Sequence, residues 1–462
     1  MTASTTNIDC DVAIIGAGTA GLAAYRSATK AGAHAVIVDP GPGGTTCARV
    51  GCMPSKALIA AGRAAHVARH AGLFGVQTGP VEIDGVAVMH RVRAERDYFV
   101  ASVMEDVDAI PAAHRITGRA RFAGPDRLTV TDGPNIVARA IVIAVGSVPE
   151  IPDLLDPVRD LVHSSDTIFE IATPPNNMAV LGAGAIGLEL AAAFARLGTR
   201  VTIFDKGDAI GSLADRDAEK VARDRLVRDI DFKLDTDLAA AEPAEGGARL
   251  SWEGGSAIFD CILAAAGRPP ANDPLGLDST GLALDDHGTP HFDASTGRCG
   301  DAPIFIAGDA RACRPVLHEA ARSGRLAGHN AARLDAMRRD ATLPALAMIF
   351  TEPQIATVGC AFAELPSDAV TGVATFQDNG RVHIDAGGDG ILRLYADRDG
   401  VLLGATIVGQ DAEQAAHLLA MALSCGLTLA ELADQVYYHP TVAEVLQQAA
   451  RDALKVLATA DD

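Results

Sequence analysis

Cys47 and Cys52 lie five positions apart, closer together than any other two of the eight cysteines. Sulfur at that spacing can form a reversible disulfide, contribute to a metal site, or pack as a small hydrophobe. On an undistorted α-helix, residues five apart have Cα atoms roughly 8–9 Å from each other. A disulfide needs less than about 7 Å. If the two are bonded, the backbone must tighten between them, and Gly51 and Pro54 suit an irregular first turn. Such a bond would be strained or exposed, hence easily reduced. Zinc would need two further ligands, usually from a second close pair, and no other pair at ligand spacing stands out. The remaining cysteines, Cys10, Cys261, Cys299, Cys313, Cys360 and Cys425, are scattered and read as structural thiols.

The elements that must hold such a pair begin upstream. Val12–Ile15 is a short apolar strand, Gly16-Ala17-Gly18-Thr19-Ala20-Gly21 follows, and an Ala-rich helix over Leu22–Ala31 leads to a strand, Ala35–Val38, closed by Asp39. Gly16 permits the tight turn, Gly18 lets a pyrophosphate approach the positive helix end, and Gly21 lets helix and strand pack closely. Asp39 can bind ribose hydroxyls. The unit recurs as Met178–Leu181, Gly182-Ala183-Gly184-Ala185-Ile186-Gly187, a helix over Leu188–Leu197, and a strand Arg200–Phe204 ending at Asp205. The interval from first glycine to closing acid is 23 residues in both copies. One such motif is weak evidence, but two in the same context imply two dinucleotides, one tightly bound beside the cysteines and one diffusible. Asp205 favours an unphosphorylated ribose, hence NAD over NADP, while Arg200 and Lys206 pull the other way.

The 462 residues allow two to four domains, and a composition 48% apolar with Val/Ile runs alternating with Ala-rich helices points to α/β architecture. A net charge of −20 argues against nucleic acid or an anionic membrane as the main partner. The nearest approach to a membrane span, Met178–Ala195, is broken by three glycines and Glu189. Nine residues with one acid and no base precede Cys10, which fits no signal or transit peptide, so a cytoplasmic location is expected.

Taken together, the motifs resemble the class I pyridine nucleotide-disulfide oxidoreductases, and among them the dihydrolipoyl dehydrogenases most. Gly43–Leu58 (GGTTCARVGCMPSKAL) is similar to that family's redox-disulfide signature. Ala144-Val145-Gly146-Ser147 with Pro149, Ala266-Gly267-Arg268-Pro269, Ile306-Ala307-Gly308-Asp309, Phe350-Thr351-Glu352-Pro353-Gln354 and His439-Pro440-Thr441-Val442-Ala443-Glu444 follow in the family's order. Thr45 stands where a second glycine is usual, Ala48-Arg49 replaces Leu-Asn, Val145 replaces threonine, and Tyr437-Tyr438 precedes the histidine. The disulfide substrate is what the resemblance specifies least.

The resemblance implies a homodimer with a shared active site, using FAD and NAD, in which electrons pass between NAD(H), the flavin, a Cys47–Cys52 disulfide and a dithiol substrate. Cys52 would face the flavin and Cys47 would exchange with substrate. Exchange needs a thiolate and a proton carrier. His439 would be that carrier, acting across the subunit interface with Glu444 behind it. Thr441–Glu444 also has the TxxE pattern of a capping box heading an apolar helix, Val442–Leu457, so the carboxylate is expected to serve the cap or the histidine, not both. Gly16, Gly18, Gly21, Asp39, Thr46 and Gly146 would contact FAD. Gly182, Gly184, Gly187, Asp205 and Gly267 would contact NAD. Lys56 and Glu189 would pair on the hydride side of the flavin. Asp309 would bind its ribityl and phosphate region. His318 begins a helix whose positive end faces the ring, with a cap or core role as the alternative.

The fold expected is α/β: two Rossmann-like dinucleotide-binding domains, for FAD and NAD, plus a C-terminal α/β dimerisation domain. Proline-rich breaks place a first FAD segment at 1–149, the NAD domain at 150–270, a second FAD segment at 271–344 and the dimerisation domain at 345–462. Dihydrolipoamide is the substrate implied, with a 2-oxo acid dehydrogenase complex as a further partner. The rivals are a mercuric-reductase-like enzyme, which shares the Phe350–Gly359 pattern but expects a cysteine pair near the C-terminus, a glutathione-type reductase, and a non-catalytic FAD-binding scaffold.

Overall fold

Val12, Ala13 and Ile14 are fully buried, as both faces of a central parallel strand must be. In the computed structural model, which describes residues 7–341 and 343–460, they belong to the strand Asn7–Ile15 of a seven-stranded sheet. That strand pairs in parallel with Ala35–Asp39 on one side and Asn135–Ile143 on the other. Arg115–Thr117 extends the first edge in parallel. Ile304–Ile306 also pairs in parallel with Asn135–Ile143, whose antiparallel neighbours are Arg127–Val130 and then Ala120–Gly124. The helix Thr19–Lys30 packs against the helix Leu317–Ala332 so closely that a Cβ on Gly324 or Gly328 would strike the backbone of Ala20 or Ala24 at 2.2 and 2.1 Å.

The chain divides into two compact units. This sheet lies in the one made of residues up to Pro54, Arg93–Glu150 and the stretch from Gly267 to residue 341. The second unit takes Ser55–Val92, Ile151–Ala266 and the stretch from Leu343. It holds a five-stranded all-parallel sheet in the order Ile230–Lys233, Arg200–Phe204, Asn177–Leu181, Cys261–Ala264, Val162–Ser164. An antiparallel meander over Leu238–Ala244, Gly247–Trp252 and Gly255–Phe259 follows. The C-terminal part is a five-stranded antiparallel sheet, Leu346–Ile349, Gln354–Gly359, Leu402–Gly409, Ile391–Ala396 and Val370–Thr375, with the helices Ala412–Ser424 and Glu444–Ala460. Within this unit Asp215, 1% exposed, accepts from Arg393 Nε at 2.5 Å and Tyr395 Oη at 2.6 Å while capping the helix Arg216–Leu226. That joins the parallel-sheet segment to the antiparallel one through a buried charge.

Both helices after the glycine turns start earlier than Leu22 and Leu188, at Thr19 and Ala185, so the third glycine of each motif is already helical. Among the described residues no helix is long and apolar enough to cross a membrane.

Candidate active site

The segment between the cysteines is two helices. Thr46–Val50 forms a short helix, Gly51 leaves helical geometry at φ −121°, ψ −115°, and a second helix, Cys52–His70, starts at once. Cys47 is half-buried on the first and Cys52 is exposed at the head of the second. A Cβ on Gly51 would lie 3.0 Å from the Thr46 carbonyl and 3.2 Å from Cys47 Cα, a tight fit that favours a small residue where the chain folds back. Pro54 is the third residue of the second helix, where no intrahelical N–H is needed. Thr45 sits at φ 58°, a conformation that suits glycine and strains a β-branched residue, and its side chain accepts from Ala48 N at 3.2 Å. Arg49 turns back onto the preceding loop and donates from Nη1 to the carbonyls of Pro42 and Gly43, at 3.2 and 3.0 Å. Thr46 is exposed on the same turn.

The two glycine turns repeat atom for atom. Gly16 N donates to Val38 O, and Gly182 N to Phe204 O, both at 2.8 Å. Added to Gly21 or Gly187, a Cβ would collide with the carbonyl oxygen of Gly16 or Gly182 at 1.8 and 2.0 Å. At Gly18 and Gly184 it would meet nothing within 4 Å, so both turns are open where a ligand's phosphates would approach. Neither helix carries an acid in its first turn, which leaves the partial positive charge of each N-terminus for an anion. Asp39 accepts from Ala17 N and Gly41 N at 2.7 Å each. Asp205 accepts from Ala183 N at 2.6 Å and Gly207 N at 2.7 Å. Beside the second turn lies a cleft of ≈ 310 Å³, walled by Ala183, Gly184, Asp205, Gly207 and Ser212. Two open, anion-ready cradles with braced acids fit two dinucleotides. Lys206 points to Asp237 at 2.9 Å on the surface.

Lys56 and Glu189 meet in the second unit. Nζ lies 2.7 Å from Oε2 of a carboxylate that is 9% exposed, and its other oxygen accepts from Phe350 N at 2.9 Å. The Phe350 ring lies under the ammonium, 4.4 Å from Nζ to the ring centre. Nothing in the sequence placed Phe350 beside Lys56, since 294 positions separate them. In the first unit Ser147 Oγ donates to Asp309 Oδ2 at 3.0 Å, and Arg268 donates to the Ser147 carbonyl at 3.1 Å. Gly146 has φ 75° with open space at its Cβ position. Gly267 also belongs to this unit, its carbonyl accepting from Glu150 N at 3.0 Å. His318 is exposed in the first turn of the helix Leu317–Ala332, whose N-cap residue is Val316, so the histidine is not part of the core.

His439 and Glu444 are paired, and here one expectation is corrected. Glu444 Oε1 accepts from His439 Nδ1 at 3.0 Å while Oε2 accepts from Thr441 N at 2.9 Å, so one conformation serves both the histidine and the turn. A carboxylate has two oxygens, so the two roles expected to exclude each other do not compete. The helix begins at Glu444 itself rather than at Val442. The Thr441 N–H, then His439, hold the Glu444 carboxyl below its ordinary value of 4.5. Asn379, 1% exposed, donates from Nδ2 to Thr441 O at 3.0 Å and anchors the turn from behind. A carboxylate can only accept, so Nδ1 carries the hydrogen and the Nε2 lone pair is left for proton transfer.

Burial pushes the thiols of Cys10, Cys261 and Cys299 up to about 12. Cys313 and Cys425, expected to be structural, are instead exposed, because a helix-flanking loop and a helix end carry them. Among the described residues no group of three or more His, Cys, Asp or Glu could hold a metal ion.

The family described as pyridine nucleotide-disulphide oxidoreductase matches residues 10–324, and the dimerisation domain of the same family matches residues 346–450. The chain is 32% identical to a dihydrolipoyl dehydrogenase of Halobacterium salinarum, with 96% of each chain covered. Dihydrolipoyl dehydrogenase 3 of Pseudomonas aeruginosa is 31% identical, with 96% of this chain and 97% of the relative covered. Among solved structures, the HOCl-induced flavoprotein disulfide reductase RclA of Escherichia coli is similar at a TM-score of 0.83 and 21% identity, over 96% of this chain and 99% of that one. LpdA of Mycobacterium tuberculosis gives 0.84 at 23% identity, over 96% and 99%. At these identities the two structures show the fold alone.

Proposed function

The chain belongs to the pyridine nucleotide-disulphide oxidoreductase family and is an NAD-dependent flavin disulfide oxidoreductase, and from that premise we propose that it oxidises dihydrolipoamide at a Cys47–Cys52 disulfide. The observation that carries the proposal is the His439–Glu444 pair, whose geometry leaves Nε2 as the acceptor of a thiol proton. The curated relatives named dihydrolipoyl dehydrogenase supply the substrate.

Family members use FAD and NAD(H), and when bound these supply a two-electron carrier and a hydride acceptor. The turn Gly16–Gly21, Asp39, Gly146 and Asp309 would hold the first, and the turn Gly182–Gly187 with Asp205 the second; Gly267, expected beside the second, belongs to the unit that carries the first turn. The thiol chemistry belongs to the chain itself. His439 takes the proton of one substrate thiol, and the resulting thiolate attacks the Cys47 sulfur. The Cys47–Cys52 bond breaks and Cys52 leaves as the thiolate. The second substrate thiol then passes its proton to the Cys47 sulfur as it closes the product disulfide and releases Cys47 as the thiol, so the electron pair taken from the substrate resides in the cysteine pair. Working across a homodimer interface, His439 would serve the cysteines of the other subunit. A cytoplasmic location and service to a 2-oxo acid dehydrogenase complex belong to the same reading.

A second reading, reduction of another disulfide, is favoured by Arg49, which is strapped to the loop before Cys47 where the relatives' signature has asparagine. One assay panel separates the two: dihydrolipoamide with NAD or NADP, and glutathione disulfide and mercuric ion with NADH or NADPH. NAD-dependent turnover of dihydrolipoamide at least tenfold above the others supports the first reading. Equal, poor rates on every substrate would overturn it.

A further inference from the structure

The pair Lys56–Glu189 is one end of a larger lattice. The helix Cys52–His70 contributes Lys56 and, seven residues on, Arg63; the helix Ala185–Arg196 contributes Glu189 and, seven residues on, Arg196. Seven residues are two helical turns, about 10 Å along one face. The segment joining the strands Leu346–Ile349 and Gln354–Gly359 supplies Phe350 and Glu352, which bridge both helices at both levels. At the first level Phe350 gives its N–H to Glu189 and its ring to Lys56. At the second, Glu352 takes Arg196 Nη1 and stands 3.2 Å from Arg63 Nε, and Arg196 also donates to the Glu352 carbonyl at 3.3 Å. Arg196 is 10% exposed and Glu189 9%, so the carboxylate partner of the first and the ammonium partner of the second cannot be replaced by bulk water.

We propose that Phe350 and Glu352 are positioning residues that fix the Lys56 ammonium and the Glu189 carboxylate for the redox reaction. The proposal rests on the reading that this pair serves the hydride side of the flavin. Lys56 keeps 36% of its side chain exposed and has three rotatable donors, so without a surface to rest on its ammonium would sample water. The ring of Phe350 supplies that surface, and a cation over an aromatic face is held electrostatically. Glu352 fixes where the ring stands, because residues 350 and 352 share one short backbone segment and Arg196 holds the second of them from the same helix that carries Glu189.

The test compares Phe350→Leu, Phe350→Tyr and Glu352→Gln in the FAD-loaded protein. The first readout is independent of turnover: the rate at which dilute acetic anhydride acetylates Lys56, followed by peptide mass spectrometry. The second is the single-turnover rate of absorbance loss with NADH, measured against NADH concentration so that rate and Kd separate. Phe350→Leu should raise Lys56 acetylation and lower the limiting rate, each about two- to fivefold, the effect of losing one partly exposed cation–π contact. Kd for NADH should be unchanged, Phe350→Tyr should restore both, and Glu352→Gln should move both in the same direction by a smaller factor. Unchanged Lys56 acetylation in folded Phe350→Leu and Glu352→Gln overturns the proposal, as does raised acetylation with an unaltered limiting rate in a protein where Lys56→Met slows that rate. If Lys56→Met leaves the limiting rate untouched, the hydride-side reading fails on its own, and the proposal, which needs it, falls for that distinct reason.

Discussion

Glu444 does two jobs through two oxygens, and they can be separated by substitution. Glu444→Gln keeps one oxygen, which can still accept from Thr441 N, but then turns an amide N–H toward His439 Nδ1. That hydrogen bond makes Nδ1 the acceptor, places the ring proton on Nε2, and blocks the atom that must take a thiol proton. Losing a hydrogen bond to a charged group costs about 1.5–3 kcal/mol, and at about 1.4 kcal/mol per tenfold that is a 10- to 10²-fold loss in kcat. The imidazole is 78% exposed, so solvent screening puts the loss near the lower limit. Glu444→Ala should lose as much activity and, in addition, the brace on Thr441 N, worth about 1 kcal/mol and ~1–2 °C in Tm for a chain of this size. Steady-state turnover of dihydrolipoamide and a thermal melt of the two variants suffice. Because the folded carboxyl lies below its ordinary value of 4.5, its stabilisation is fully present above that pH and disappears as the pH falls through the lower folded value. The difference in Tm between wild type and Glu444→Ala should therefore shrink on acidification below about 4.5. A Glu444→Gln enzyme with wild-type kcat would refute the tautomer argument, and equal melts for Gln and Ala would refute the brace.

Three further outcomes follow from the geometry. Gly187→Ala places a Cβ 2.0 Å from the Gly182 oxygen, so NADH binding should weaken at least tenfold, measured by fluorescence titration, whereas Gly184→Ala leaves the packing of the free turn intact. Asp215→Ala takes one acceptor from a buried guanidinium, which keeps Asp217, and from a phenol, which keeps Thr406 Oγ1, and should cost about 1.5–3 kcal/mol, read as a lowered urea midpoint. Maleimide labelling at pH 7 should modify Cys313 and Cys425 within minutes, while Cys261 and Cys299 react only after unfolding.

The parts of the molecule legible in the sequence are those whose cause is local. A glycine that must turn, an apolar run and an acid at a strand end act within about 25 residues, and both strand–turn–helix units could be read from them with boundaries off by a few positions. The break at Gly51 was legible for the same reason, since helix geometry alone makes the cysteine spacing awkward. What escaped was long-range or depended on counting atoms. Phe350 under Lys56, Ser147 on Asp309 and Arg393 on Asp215 join residues more than 150 positions apart. Arg49 read as a departure near the substrate but is strapped to carbonyls six and seven residues behind it. The meander over Leu238–Phe259 has small alanines where strand patterning is weakest, and it was not expected.

The braced acids that close the strands Ala35–Asp39 and Arg200–Phe204 carry a further consequence. Asp39 and Asp205 each hold two backbone amides of their own loops before any ribose arrives. Exchanging Asp205 for a basic side chain to welcome a 2′-phosphate would also withdraw the acceptors of Ala183 N and Gly207 N. If Asp205 reads the ribose as proposed, a shift in nucleotide preference there is tied to the integrity of the turn and needs a replacement acceptor for the two amides. On the proposed reading, dinucleotide choice and loop architecture hang on one carboxylate, so neither can be altered alone.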